Sequence, residues 1–286
     1  MIKTEHLNVL DEENEQLARC TISCLESLIL QNGEKFTDEM WVQTIDLIGE
    51  LFAATLPKSL LTWEPVGGGK DEQHSIGGDA IFAEQIVFCV VQNELVEAVA
   101  RIVFGAQKDA NNEGLYLKMK PQLLLSICDA LAQSQKLAKQ FNDNNGQRTL
   151  LWKAGLRGSS KPNLINQETR SLSAMLAIIL RLLYDERANE IKEEIGKRVL
   201  EVVSLALCGY GEAESESRKS AYGPVICELL SECIKLPPNM LPILGNEFPM
   251  KVCDLVETAE GQKMRKLLAQ LLRQLIPAKC ANGTLS

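Results

Sequence analysis

At 286 residues the chain is long enough to bury a substantial core, and a composition 45% hydrophobic but only 5% aromatic makes that core aliphatic. Thirty basic side chains against 38 acidic ones leave a formal charge of −8, which excludes sequence-wide nucleic-acid binding because phosphates are repelled. Residues 1–20 are polar and acidic, without the apolar core of a signal peptide, and the longest apolar runs, such as Ala174–Leu180, fall far short of a membrane span; any membrane contact is peripheral.

The first predicted helix covers Glu12–Gln31, with Asp11, Glu12, Glu13 and Glu15 in its opening turn and Leu17, Cys20, Cys24, Leu28 and Gln31 stepping along one face. Asn32-Gly33 stops it. Thr37 caps a second helix carrying Trp41, Ile45, Ile48 and Phe52, ended by Pro57, and the two read as an antiparallel hairpin. Residues 66–79, VGGGKDEQHSIGGD, read as a flexible loop. Its Gly67-Gly68-Gly69-Lys70 is not a phosphate loop: Asp71 stands where a magnesium-binding Ser or Thr belongs, and no strand precedes it. Ile81–Phe104 contains a β-branched run, but Val87, Val91, Leu95, Ala98 and Ile102 share a helical face over a length no strand reaches. A second polar loop, 107–114, precedes a helix from Pro121 to about Phe141.

The segment Phe141–Leu172 follows. Asn144 with Gln147 three residues on is an Asn version of the capping box, Leu150, Leu151 and Trp152 give a short apolar body, and Gly155 and Lys161-Pro162 break the chain. A second helix starts at Asn163 or Asn166, with Glu168 in its first turn, and buries Leu172, Met175, Leu176, Ile179 and Leu183. Further helices are predicted at Ile191–Leu207, at Tyr222–Leu236, through Val252, Leu255 and Val256, and at Gln262–Ile276, with 240–250 irregular and 277–286 frayed. About ten helices and no convincing strand, with helix pairs at intervals of roughly 40 residues, make this an all-α, HEAT/armadillo-like α-solenoid fragment, expected to form a single helical-repeat domain over 1–286.

The run NNGQRTLLWKAGLRGSSKPNLINQETRSL closely resembles the stretch NNxQRTxLWKAGxxGxSKPNLxxQETxSL near the C-terminus of the large brefeldin-A-inhibited guanine nucleotide exchange factors for Arf GTPases, the Golgi Sec-seven type. Trp41–Pro65, ending TLPKSLLTWEP, and Ile81–Gly105 resemble two further family segments in the same order. Glu64 stands where the family has arginine. The resemblance runs from about Cys20 to Ile276 and marks Asn144, Gln147, Trp152, Gly155, Pro162 and Asn163 as a structural signature. It implies that exchange is performed by a separate domain, whose glutamate finger lies in a Phe-Arg-Leu-Pro-Gly-Glu string; no such string occurs here.

No Gly-x-Ser-x-Gly, His-Glu-x-x-His or Cys/His constellation is legible either, so no catalytic residue, cofactor or metal ligand is expected. Nine cysteines without a Cys-x-x-Cys pair read as reduced, buried hydrophobes, pointing to the cytosol. The candidate interaction residues are Arg148, Lys153, Arg157, Lys161 and Arg170, which face Glu168 alone between positions 148 and 170 and make a basic patch on an acidic chain. They could instead cap helix ends and pair with acids of the stack. The resemblance implies a non-catalytic regulatory or scaffold region acting in Golgi and endosomal vesicle transport. Its partners would be small GTPases of the Arf, Arl or Rab type, other parts of an exchange factor, or an anionic membrane to which the cytoplasmic chain is recruited. The alternatives are an independent helical-repeat adaptor that has lost its exchange domain and, against the missing finger, an exchange enzyme.

Overall fold

A computed structural model describes residues 2–64, 75–105, 114–153, 164–237 and 240–282. Eleven α-helices are assigned among them: α1 (Ile2–Asn32), α2 (Asp38–Ala54), α3 (Ser59–Thr62), α4 (Ser75–Phe104), α5 (Pro121–Asp143), α6 (Asn145–Lys153), α7 (Leu164–Tyr184), α8 (Lys192–Gly211), α9 (Glu216–Lys235), α10 (Phe248–Thr258) and α11 (Gln262–Asn282). Short 3₁₀ turns fill several connections, and no strand occurs among the described residues. The chain is all-α, helix packed on helix. They gather into two compact units, residues 1–171 and 172–286.

In the first unit the helix starts follow from local chemistry. The Thr37 hydroxyl accepts the Met40 N–H at 3.3 Å and opens α2, and Pro121 sits in the first turn of α5, where its missing N–H has no helical partner to lose. Trp41, Ile45, Ile48 and Phe52 are all buried, as their spacing requires. The expected first hairpin is replaced by pairs further apart in sequence: α1 rests chiefly on α4, and α2 on α5. The apolar face assigned to α1 is also the wrong one. Leu17 and Leu28 are 66% and 61% exposed, Cys20 and Cys24 are exposed, and Ile22 and Ile29 are buried instead. The helix carries two apolar stripes, and periodicity cannot choose between them. Ion pairs flank the buried Ile stripe, Arg19–Glu94 and a two-pronged Glu26–Arg101 pair at 2.6 and 2.8 Å, and fasten α1 to α4.

Other boundaries move as well. Helix α4 starts at Ser75, inside the stretch read as a glycine-rich loop. The rest of that loop and most of 107–114 lie outside the described residues. The short α3 brings Leu60 into a cluster with Cys89, Ala138, Phe141, Leu151 and Leu164, against which Leu61 and Trp63 pack. Leu151 of α6 and Leu164 of α7 thus join one core from both sides of the signature turn.

In the second unit α9 packs on α8 and α11, and α10 contacts both α8 and α11. Ser215 caps α9 by accepting the Arg218 N–H at 3.3 Å, so the helix starts six residues before the expected Tyr222. Pro224 inside it leaves the Ser220 carbonyl without its helical donor, which is why the sequence there reads as a helix start. A Cβ at Gly209 of α8 would overlap the buried Tyr222 ring, so this glycine sets how closely the two helices approach. The Tyr210 hydroxyl donates to the Thr258 carbonyl (3.0 Å) and accepts the Glu260 N–H (3.2 Å), bracing the turn between α10 and α11, where Gly261 adopts φ +83°. Helix α11 continues to Asn282, through residues expected to fray.

Cysteine burial is mixed. Cys89, Cys128 and Cys233 are buried, and burial pushes the Cys233 thiol up to about 12 and Cys89 further. Cys20, Cys24 and Cys253 are exposed, so the expectation of buried thiols is met only in part.

Candidate interaction surface

The basic residues of the signature segment do not behave as one group. Arg148 turns back along α6 and donates to the Asn142 carbonyl in the last turn of α5 at 3.1 Å, with a longer bond to the Asn145 side chain. A guanidinium at a helix C-terminus satisfies an orphan carbonyl and matches the helix dipole. Arg170 leaves the turn and pairs with Glu97 of α4. Glu97 also pairs with Arg101 and Arg101 with Glu26, so Arg170 ends an ionic ladder running across α7, α4 and α1. Lys153 is exposed at the end of α6. Arg157 and Lys161 lie outside the described residues, as do Gly155, Pro162 and Asn163; of Trp152 only the backbone is described.

The capping box forms by half. The Asn144 side chain accepts the Gln147 N–H at 3.0 Å, but the Gln147 side chain does not return the bond. It donates to the Trp63 carbonyl at 2.7 Å instead, tying α6 to the end of α3. Glu64, the departure from the family pattern, is exposed beside it.

In the sequence, Glu168 of the Gln-Glu-Thr run at 167–169 stands as an acid on the dipole of a helix opening. The run is an internal fastener. Glu168 is fully buried in the second turn of α7 and accepts from the Asn142 side chain at 2.6 Å. Gln167 donates to the Ser134 hydroxyl at 3.0 Å, Ser134 donates to Gln92 at 2.7 Å, and Gln92 donates to both the Phe52 carbonyl and the Thr55 hydroxyl at 2.8 Å. One chain of polar contacts therefore runs from α7 through α5 and α4 to the end of α2, with Gln92, Ser134, Gln167 and Glu168 all at 0% exposure. Sequence reading passed over these residues because polar side chains inside apolar helices look like ordinary surface positions. The available signal was Gln92 standing directly after the apolar run Ile86–Val91.

The arrangement offers surfaces rather than a reaction centre. Among the described residues no group of three or more His, Cys, Asp or Glu side chains is placed to hold a metal ion, and no helix is long and apolar enough to cross a membrane. An open groove of ≈ 380 Å³ lies between α1 and α4, lined by Arg19, Cys20, Ile22, Glu26, Glu94 and Arg101; its charged groups are consumed by the ion pairs already described.

Residues 90–273 match the family model described as the BIG2 C-terminal domain. The chain is 30% identical over 93% of its length to brefeldin A-inhibited guanine nucleotide-exchange protein 1 of Homo sapiens, and 25% identical over 91% to the ADP-ribosylation factor guanine nucleotide-exchange factor sec72 of Schizosaccharomyces pombe. A shorter stretch, 21% of the chain, is 39% identical to the exchange factor SEC7 of Saccharomyces cerevisiae. The chain spans only 18% and 16% of the length of the first two proteins. No solved structure matches it significantly. The family match covers well over half of the sequence, and the chain belongs to the BIG2 C-terminal domain family.

Proposed function

We propose that this chain is a non-catalytic regulatory and scaffold region of an Arf guanine nucleotide exchange factor, working in Golgi and endosomal vesicle transport from the cytoplasmic side. The observation that carries the reading is the match of 184 residues, 90–273, to a C-terminal domain of exchange factors, in a chain that carries no exchange-finger string. A fold of packed helices held by an interior polar network suits a rigid binding platform. Its contact with a GTPase is assigned to the basic turn: Lys153 is exposed there, and Arg157 and Lys161 add charge of the sign that attracts an acidic patch. Arg148 and Arg170 are left out of that contact, since the first bonds to the Asn142 carbonyl and the second pairs with Glu97.

The test is capture of purified Arf, Arl and Rab GTPases, loaded with GDP or a GTP analogue, by the immobilised 286-residue chain. Retention of an Arf-type GTPase in one nucleotide state is the expected result. Equal failure to retain every GTPase in either state would refute the GTPase-binding reading.

A further inference from the structure

Helix α11 carries charge of one sign only. Between Gln262 and Asn282 the sequence has Lys263, Arg265, Lys266, Arg273 and Lys279 and no carboxylate, on a chain whose formal charge is −8. Met264, Leu268, Leu271 and Leu275 of this helix are buried, and it packs against α9 and α10. At about 100° per residue, Lys263, Lys266 and Arg273 fall within an arc of about 80° on the opposite side, over a length of about 15 Å. All three are exposed, as is Gln270 between them.

These cations lack the partners that their neighbours have. Lys219 pairs with Glu260, Lys235 with Glu232 and Lys251 with Glu247, each across or along the helices of the same unit. Arg265, on the flank of α11, is turned to the Ala259 carbonyl at 3.2 Å. Among the described residues Lys263, Lys266 and Arg273 enter no ion pair. An acidic protein that leaves three adjacent cations unneutralised presents them to an anion that is not part of itself.

We infer that the outer face of α11 is a docking surface for the anionic leaflet of a lipid bilayer. The shape favours a bilayer over an acidic peptide. An extended peptide docks in a groove or along a sheet edge, and an acidic helix in a groove between helices. The outer face of a packed helix is a convex ridge, which meets a plane along its whole length. The apolar face of α11 is already occupied by protein, so the contact is electrostatic, without insertion. It therefore depends steeply on salt and has little of the curvature preference of an inserting amphipathic helix. Three cations beside an anionic leaflet raise partitioning on the order of a hundredfold over a neutral bilayer. The inference rests on the proposed work at a membrane, but its test contains no GTPase, so the two fail separately.

The experiment is co-sedimentation of the 286-residue chain with vesicles of phosphatidylcholine containing about a third phosphatidylserine, beside pure phosphatidylcholine, at low and high salt. The parent chain is expected to bind the anionic vesicles only, and to release in high salt. Lys263→Glu/Lys266→Glu/Arg273→Glu lowers that binding about a hundredfold, and the neutral Lys263→Gln/Lys266→Gln/Arg273→Gln lowers it less, with helical circular dichroism unchanged in both. Lys197→Glu, a reversal of an exposed lysine on α8, leaves binding within about twofold. The inference is overturned if the parent ignores anionic vesicles or if the reversed triple variant binds them as the parent does. It is also overturned if polyglutamate competes the parent off vesicles at lower charge concentration than lipid, which assigns the ridge to a protein partner.

Discussion

Replacing Gln92 by Leu tests the interior polar network at its most connected point. The side chain donates to the Phe52 carbonyl and the Thr55 hydroxyl and accepts from Ser134, all within 2.7–2.8 Å and at 0% exposure. Leucine has similar volume and opens no cavity, so the loss is polar. Thr55 keeps its bond to Leu51 and Ser134 keeps its acceptor role toward Gln167. The Phe52 carbonyl and the Ser134 proton lose partners in a dry interior. Three hydrogen bonds at about 1 kcal/mol each, partly offset by the apolar gain of leucine, put the net destabilisation at about 2–3 kcal/mol. All three tryptophans, at positions 41, 63 and 152, lie in the first unit, so selectively excited tryptophan fluorescence in a urea titration reports on that unit. A Ser134→Ala cycle with Gln92→Leu should add a coupling of about 1 kcal/mol. A midpoint shift worth less than about 0.5 kcal/mol, with no coupling, would show that the network is incidental to the fold.

Gly209→Ala drives a methyl into the Tyr222 ring, and the second unit should lose about 1–3 kcal/mol by thermal melting, while Ala at Gly211, where the added carbon meets nothing, should not. Arg148→Ala removes the guanidinium from the Asn142 carbonyl; about 1 kcal/mol of fluorescence-detected stability is the expected loss, and Arg148→Lys should restore part of it. Burial raises the Glu228 carboxyl above its ordinary range, opposed by the bond from Ser173 at 2.6 Å and aided by Glu232. A raised carboxyl binds its proton more tightly when folded, so its contribution is greatest in acid and is lost as pH rises through its folded value; Glu228→Gln should gain stability over the parent at neutral pH and not in acid. Arg157→Glu/Lys161→Glu should weaken GTPase capture several-fold without moving the urea midpoint, and unchanged capture would remove the basic turn from the partner surface.

How legible these features were in the sequence depends on whether periodicity could see them. Trp41–Phe52 presents one apolar stripe and Leu172–Leu183 a face broadened by Ile178 and Leu182, and both are buried as their spacing requires. Helix α1 presents two stripes, Leu17–Leu28 and Ile22–Ile29, and the buried one is that which meets α4, about 75 positions away, which no local window contains. The start of α9 was hidden by Pro224, and the start of α4 by the glycines at 77 and 78, because both residue types usually punctuate a chain. At the candidate site, the sequence made Arg148–Arg170 look like one patch because charge was counted along the chain. Folding sends Arg148 to α5 and Arg170 to α4. The converse holds for α11, whose run of cations without a carboxylate was in plain view but became meaningful only once its apolar face was seen to be occupied.

The measurement that tests the central claim most directly is a fluorescence titration of the chain into Arf loaded with a labelled GTP analogue, followed by addition of excess unlabelled nucleotide. The account predicts that anisotropy rises as the complex forms and that the label then leaves at the intrinsic rate of free Arf. Accelerated release would make this chain an exchange catalyst and contradict the account.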